Sequence, residues 1–485
     1  MKTIEHEKTK EILATFEAIS RIPRCSKHEE HICKWLLQWA MENDLKAETD
    51  GVGNVLIHVP ATATYAKAPA VVIQGHVDMV CEKTPDSRHD FSKDPIEFVF
   101  EEDWLKANHT TLGADNGIAL AIALELAKDK KIPHAELELL FTVDEETGLT
   151  GANALQPGFL QGKVLLNVDS EDEGVFTVGC AGGKDTHMAL DLDYEEVAPG
   201  QVPFQLKVSG LLGGHSGVNI HEQRANAIRL LARTLDWIRR DCDLRIVFVS
   251  GGTAHNAIPR DSLATVFLPA DQAAVAGEHV REAEKVFRAE FKDVEKDLNL
   301  TWSEFGQVQD NRAMTVACSR RVVDILLALP HGVAAMSQDI PGLVETSNNL
   351  ASAKVVDGRL KVVTSQRSSV MSRLEAMTGQ IEAVAALSGA EVRSSDGYPS
   401  WQPNLQSPLL AKCKRVYRKL YGKEAKVEAI HAGLECGIIG DKNPGMDMIS
   451  FGPTLKNPHS PDEKIYVPSI GKVWDFLIAL LKALK

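Results

Sequence analysis

The order of apolar and polar positions divides the chain into three parts. Apolar residues recur at helical spacing over 8–20 and 29–42, and short apolar runs then alternate with helical ones as far as about residue 180. Four of these runs predict strands, at 52–59, 70–77, 137–143 and 163–169, and a helix is predicted at 116–129. Unbroken apolar strands separated by helices are typical of an α/β sheet covered by helices.

The pattern changes after residue 185. Alternating strands such as 204–210 are followed by predicted helices at 222–239 and 276–297, and by a hairpin at 351–365 that turns on Asp357-Gly358. The proline-rich run 397–404 marks the return to the first domain, which a helix at 407–421, a strand at 446–452 and a helix at 470–484 complete. We therefore expect an α/β domain made of residues 1–185 and 399–485, with an α+β domain inserted at 186–398.

Polar clusters lie where the predicted strands end. The strand 70–77 runs into His76 and then Asp78, and residues two apart on an extended backbone face the same side, so the carboxylate can orient the imidazole. The other clusters hold Asp115, Glu145, Glu146, Asp169 and, in a late turn, His459. A single HxD is often structural, and adjacent acids often mark a solvated loop. The combined set indicates a site for two divalent cations, most plausibly zinc, with manganese and cobalt as alternatives.

Adjacent carboxylates can divide the work in such a site. Glu146 can bind metal while Glu145 acts as general base on a metal-bound water, whose pKa zinc lowers to about 7. The expected reaction is hydrolysis by metal-bound hydroxide.

Composition excludes several classes of protein. The 485 residues carry a formal charge of −14, which argues against a nucleic-acid partner. The chain lacks an apolar stretch of about 18 residues, so we expect no membrane span. Eight scattered cysteines without a CxxC pair indicate reduced thiols and a cytoplasmic enzyme.

Three residues of the inserted domain are candidates for binding substrate. His215 and Asn256 lie among glycines and small residues, where ordinary turns are the alternative. Arg367 follows the predicted hairpin and can pair with a carboxylate through two hydrogen bonds, although an exposed strand-end arginine is also common.

Several motifs together resemble the co-catalytic zinc peptidase family that includes carboxypeptidases, aminoacylases, tripeptidases and carnosinases. They are GHVDMV, TTLGADNGIA, NVDSEDEG, GCAGG, GGHSG, NAIPR, HAGLECG and NPHSPDE, and the likeness covers essentially the whole chain. The set is most similar to the aminoacyl-histidine dipeptidases of that family.

The resemblance implies a role for each candidate. His76 and Asp169 would hold one cation, Glu146 and His459 the other, and Asp115 would bridge both. Asp78 would orient His76, and Glu145 would be the general base. His215, Asn256 and Arg367 would be substrate-binding residues of a lid, and the peptide bond between Asp115 and Asn116 would be cis. At about 210 residues, the insertion is roughly twice the size of a simple satellite domain, which leaves a homodimer open.

The predicted function is hydrolysis of unblocked dipeptides, including Xaa-His types, with a small peptide as the partner. An N-acyl amino acid deacylase and a tripeptidase of the same family remain as alternatives. A catalytically silent metal- or peptide-binding protein is disfavoured by Glu145, and a dizinc phosphoesterase by the paired glutamates.

Overall fold

The computed structural model describes residues 6–306 and 311–485. The chain divides into two compact units. Unit 1 takes in the residues up to Cys180 together with Trp401–Ala429 and Leu434–Lys485, and unit 2 takes in Ala181–Ser400 and Ile430–Gly433.

The helices and strands follow one another in three segments of the chain. The first segment of unit 1 contains α1 (Glu7–Ser20), α2 (Glu30–Glu42), β1 (Lys46–Thr49), β2 (Val55–Val59), β3 (Val71–His76), β4 (Phe98–Glu101), β5 (Trp104–Ala107), α3 (Ala114–Lys128), β6 (Leu137–Thr142), α4 (Glu145–Gly148), α5 (Thr150–Ala154), β7 (Val164–Asn167) and β8 (Val175–Cys180). Unit 2 contains β9 (Gly182–Asp191), β10 (Tyr194–Glu196), β11 (Gln201–Ser209), β12 (Gly214–His215), α6 (Ala227–Asp241), β13 (Arg245–Gly251), β14 (Ala257–Ile258), β15 (Ser262–Pro269), α7 (Ala273–Glu290), β16 (Asn299–Glu304), β17 (Arg312–Met314), α8 (Val316–Ala328), β18 (Gly332–Met336), β19 (Val344–Val356), β20 (Arg359–Ser368), α9 (Met371–Ser388) and β21 (Glu391–Ser394). The chain then returns to unit 1 with α10 (Pro408–Tyr421), β22 (Lys426–Ile430), α11 (Glu435–Lys442), β23 (Asp447–Ser450), β24 (Leu455–Lys456), β25 (Lys464–Tyr466) and α12 (Val467–Ala483).

Unit 1 is built on a mixed sheet with the strand order β1-β2-β6-β3-β7-β23-β8-β22. The four middle strands β6, β3, β7 and β23 are parallel to one another, whereas β2 and β8 pair antiparallel at their flanks. Strands β3 and β6 are buried at every position, as is usual for the middle strands of a sheet that helices cover. Helix α3 packs against β3 and α1, and α10 packs against β23.

Unit 2 is built on an antiparallel sheet with the order β16-β11-β15-β13-β19-β20-β9-β21, to which β18 is attached through β19. Its core lies between this sheet and the helices, with Leu231, Val266 and Phe287 among the fully buried side chains. The predicted hairpin is formed by β19 and β20, and both turn residues, Asp357 and Gly358, have positive φ angles, as a primed turn requires. The predicted helix at 276–297 lies three residues earlier at its start, and it ends at Glu290.

The expectation that all cysteines are reduced thiols is wrong for one pair. Cys25 and Cys81 form a disulfide, with their Cα atoms 5.7 Å apart, whereas the other six cysteines are free and buried. The two residues are 56 positions apart in the sequence, and they meet because the loop after α1 pairs with the segment that follows β3. Spacing along the chain therefore gave no sign of the bond.

None of the described helices combines the length and the apolar composition that crossing a bilayer requires.

The close approach of β13 and β19 gives a test of packing in unit 2. Gly252 follows β13 with φ +72°, and a Cβ at this position would overlap the carbonyl oxygen of Ala351. Gly252→Ala should therefore lower the free energy of unfolding by roughly 3 kcal/mol. This is the sum of the cost of a left-handed conformation for alanine and the cost of overpacking. Urea denaturation measures the loss.

Gly358→Ala is the matched control, since Gly358 has the same φ of +72° and open space around its Cα. It should cost only about 1 kcal/mol, the conformational part alone. Equal losses for the two variants would contradict the predicted overlap at Gly252.

Candidate metal centre

The candidate ligands are gathered by the carboxyl ends of three parallel strands. His76 is the last residue of β3 and pairs in register with Thr142 of β6, after which Glu145 begins α4. Strand β7 lies on the other side of β3, and Asp169 follows two residues after its end. Parallel strands end at the same edge of a sheet, so residues far apart in sequence meet there.

Two histidine-centred clusters share one carboxylate. His76 Nε2 lies 3.1 Å from Asp115 Oδ1 and 3.6 Å from Asp169 Oδ1. His459 Nε2 lies 3.2 Å from Asp115 Oδ2 and 3.0 Å from Glu146 Oε2. Each set of three residues places its ligand atoms within 4.8 Å of one another, a spacing that can hold a metal ion. Asp115 therefore faces one cluster with each of its carboxylate oxygens.

Asp78 lies behind His76, on the side away from the clusters. Its Oδ1 is 3.3 Å from His76 Nδ1, and it is fully buried. The same carboxylate accepts hydrogen bonds from the backbone N–H groups of Glu145 and Glu146 and from the hydroxyl of Ser26. One side chain thus links the imidazole of His76 to the start of α4, which carries both glutamates.

Asp115 is held by a carboxylate that sequence reasoning did not single out. The buried Glu463 accepts hydrogen bonds from the backbone N–H groups of Leu112, Gly113 and Asp115. The peptide bond between Asp115 and Asn116 is cis, which confirms that prediction. Helix α3 includes these two residues, although their φ and ψ angles are not helical.

Arg24 stabilises the same region through hydrogen bonds to the backbone. Its guanidinium, 1 % exposed, donates to the backbone carbonyls of Val77, Asp78 and Gly113. It therefore connects the segment that directly follows His76 to Gly113, two residues before Asp115.

Burial and charge shift the pKa values at this edge in opposite directions. Burial raises the pKa of Glu145 well above its usual range, and it also raises those of Glu146 and Asp169. Burial acts in the same direction on Asp115, but hydrogen bonds with His459 and His76 outweigh it and lower that pKa. Hydrogen bonds with Asp115 and Glu146 raise the pKa of His459 to about 11. The carboxylates outnumber the histidines, so the site favours the binding of cations.

The residues fit a pair of divalent cations. Glu146 Oε1 is buried and, among the described residues, has no hydrogen-bond partner, so it is free to bind a metal ion. Imidazole nitrogens and carboxylate oxygens are ligands that zinc accepts.

A network of buried polar side chains surrounds Glu435, next to the candidate ligands of β3 and β7. Gln74 donates to Glu435 at 2.6 Å, Thr142 donates to the same carboxylate at 2.7 Å, and Asn167 donates to Gln74. Gln74 lies two residues before His76 on the same face of β3, and Asn167 ends β7 two residues before Asp169. Burial raises the pKa of Glu435 to about 7. Glu435 lies in the HAGLECG motif, but sequence reasoning did not single out this residue.

In unit 2, the structure brings two of the three predicted substrate-binding residues together. His215 Nδ1 accepts the backbone N–H groups of Gly217 and Val218. A Cβ on Gly217 would meet both His215 and Arg367, so these two side chains flank the glycine. Arg367 is 7 % exposed and donates to the hydroxyl of Tyr398, whereas Asn256 is exposed and its carbonyl accepts from Ser216.

His431 is a further polar residue of this region that the sequence did not suggest. It is buried, its Nε2 lies 2.7 Å from the Ser347 hydroxyl, and its carbonyl oxygen is close to Gly217. Burial and the charge of Arg367 lower its pKa to about 3, so the imidazole is neutral.

Comparisons with known proteins agree with this arrangement. The model of peptidase family M20/M25/M40 matches residues 72–483. The chain is 40% identical over 468 residues to the cytosol non-specific dipeptidase of Escherichia coli, with 96% of each chain covered. The crystal structure of an aminoacylhistidine dipeptidase from Vibrio alginolyticus matches with a TM-score of 0.88 and 39% identity, covering 97% of this chain and 96% of that one. An aminopeptidase from Bacillus cereus, 17% identical with a TM-score of 0.58 and 98% coverage of both chains, shares the fold.

The predicted fold class and the predicted enzyme class, a peptidase, are confirmed by these matches. With its candidate ligands at the carboxyl edge of a mixed sheet and a family match that spans both units, the chain belongs to peptidase family M20/M25/M40.

Proposed function

We propose that the chain is a cytoplasmic metallodipeptidase that hydrolyses unblocked dipeptides, including Xaa-His types. The observation that carries the proposal is the carboxylate of Asp115, which faces His76 with one oxygen and His459 with the other. The extensive likeness to a dipeptidase from Escherichia coli named as cytosolic supports the substrate class and the location.

Five residues would hold two divalent cations, most plausibly zinc. His76, Asp169 and Asp115 would hold one, and Asp115, Glu146 and His459 the other. When bound, such cations polarise the scissile carbonyl and make water a stronger acid. Asp78 keeps His76 Nδ1 occupied, so that Nε2 is the nitrogen that faces the cluster.

Glu145 is the proton carrier in this proposal. One of its carboxylate oxygens lies within 4.8 Å of the ligand atoms of His76 and Glu146. None of the described residues forms a hydrogen bond with this carboxylate in the structure. It would accept a proton from the attacking water and pass it to the departing amine nitrogen, since a carboxylate at this point can serve as base and then as acid.

Unit 2 supplies a carboxylate-binding group. Arg367 is buried beside His215, and its guanidinium suits the C-terminal carboxylate of a dipeptide better than an ammonium group would, because it donates two parallel hydrogen bonds.

A substrate panel separates this proposal from the other activities of the family. We expect Ala-His to be cleaved with a kcat/KM about 30- to 150-fold above that for N-acetyl-Ala-His, because a free amine adds a charge-assisted contact of roughly 2–3 kcal/mol. Preference for the acetylated compound would indicate a deacylase, and preference for Ala-Ala-His a tripeptidase. Failure to cleave any of the three with zinc, manganese or cobalt present would contradict an enzyme of this class.

The two adjacent glutamates should respond differently to the same change. Glu145→Gln should lower kcat by about 10²–10⁴-fold at near-normal metal content, because it removes a proton carrier. Glu146→Gln should lower the metal content itself. Kinetics combined with metal analysis by mass spectrometry measures both, and each variant is the isosteric control for the other. The reverse pattern would exchange the two roles.

Glu463 should act through the backbone around Asp115. Glu463→Ala leaves three backbone N–H groups, two of them buried, without their acceptor. We therefore expect about 10- to 100-fold weaker metal binding and an unfolding free energy lower by roughly 2–4 kcal/mol. Glu463→Gln, which keeps one acceptor oxygen, should fall between. Glu424→Ala, at an exposed glutamate, is the control, and wild-type metal affinity in Glu463→Ala would refute the role.

Arg367→Ala should impair dipeptides with a free C-terminal carboxylate by about 10- to 100-fold in kcat/KM, and their C-terminal amides much less. Steady-state kinetics on Ala-His and its amide measure the difference. Arg373→Ala is the control, because Arg373 is half exposed and pairs with Glu345 instead. Equal losses on the two substrates would assign Arg367 a structural role.

A further inference from the structure

The disulfide between Cys25 and Cys81 joins two segments that support the candidate metal centre. Cys25 lies between Arg24 and Ser26, and Cys81 lies three residues after Asp78. Backbone pairing links the same two segments, since Met79 N–H donates to the carbonyl of Arg24. The bond therefore closes a ring of contacts around Asp78.

Both neighbours of Cys25 contact Asp78 directly. The Arg24 guanidinium donates to its backbone carbonyl, and the Ser26 hydroxyl donates to its carboxylate at 2.8 Å. Asp78 in turn contacts His76 and the N–H groups of Glu145 and Glu146. A change in how Cys25 is tethered thus reaches three residues of the site through one buried carboxylate.

The two cysteines lie at the surface of unit 1. Both cysteines are half-buried, unlike the six buried free cysteines, and both line a surface cavity of about 810 Å³. Lys83, Arg88 and three histidines share that lining with Glu30 and Asp90, and Asp90 is paired with Lys93 outside it. The cationic side chains of Lys83 and Arg88 suit a small thiol that carries carboxylate groups.

We propose that Cys25 and Cys81 are a reversible redox pair that exchanges with a small anionic thiol such as glutathione and thereby adjusts the activity of the metal centre. A glutathione thiolate attacks one sulfur of the disulfide, forms a mixed disulfide and releases the other cysteine as a thiolate. A second glutathione thiolate then attacks the mixed disulfide, so that oxidised glutathione leaves. The two protons of the glutathione thiols end on Cys25 and Cys81, and two electrons pass to the protein.

The oxidised form is the more active one. Reduction leaves the hydrogen bonds of Arg24 and Ser26 in place but removes the covalent tie that holds them against the segment of Asp78. The effect is therefore smaller than the 10- to 100-fold loss that follows removal of an outer-shell partner. We expect reduction to lower kcat/KM for Ala-His by about three- to tenfold and to weaken zinc binding by a similar factor.

The test equilibrates the zinc-loaded enzyme with glutathione buffers from fully reduced to fully oxidised. Alkylation and mass spectrometry measure the fraction of molecules in which the Cys25–Cys81 bond is formed. Kinetics and zinc titration are run on the same samples. The thiol readout does not depend on the proposed function, so an enzyme inactive on dipeptides still reports whether the pair exchanges. As the buffer becomes more oxidising, the activity and the fraction of molecules with the disulfide should rise together. Both should fall back to their starting values on re-reduction.

Three variants distinguish the outcomes. Cys25→Ser/Cys81→Ser should match the reduced enzyme at every glutathione ratio, whereas Cys33→Ala, at a buried free cysteine of the same unit, should keep the full response. Cys25→Ser alone should not respond; a response there would mean that a mixed disulfide, not the internal bond, controls activity. The proposal is overturned if oxidised and reduced enzymes have equal kcat/KM and zinc affinity, or if only the melting temperature changes.

Discussion

The carboxylate of Asp115 lies between His76 and His459, and most of the surrounding structure serves to keep it there. Glu463 binds the backbone on its amino-terminal side, Arg24 ties that segment to the end of β3, and the sheet fixes His76. If Asp115 moved by about an ångström, one of its oxygens would lose its histidine. The geometry of both clusters therefore depends on a turn that the rest of unit 1 holds in place.

Charge explains why this turn needs so much support. Asp115, Glu145, Glu146 and Asp169 are brought together with two histidines in a partly buried place, where isolated carboxylates are costly. Burial and the charge of Asp115 raise the pKa of Glu463 and that of Glu171 to about 7, so ionising a carboxyl group is costly at these neighbouring positions as well. Divalent cations would offset this charge, and their binding free energy would then contribute to the stability of the folded chain.

The sequence predicted those parts of the site that follow from strand patterns. Apolar runs that lead into His76, Glu145 and Asp169 predicted strands of an α/β sheet. In the structure these strands are parallel, so the three residues lie at one edge. Supporting residues carry no such pattern: Arg24 lies in an irregular loop, and its burial depends on carbonyl groups that only the folded chain assembles. Glu463 stands in the NPHSPDE motif, so the motif held a signal that was not used. The Cys25–Cys81 bond was missed because its partners lie on different loops, and the free-thiol expectation rested on spacing alone.

Anomalous diffraction from zinc-soaked crystals tests the central claim most directly. The account predicts two peaks about 3.5 Å apart, the usual separation in two-metal hydrolytic sites, with one oxygen of Asp115 beside each peak. One peak should also contact His76 and the other His459. A single peak, or two peaks of which only one touches Asp115, would contradict the claim that this carboxylate joins two metal sites.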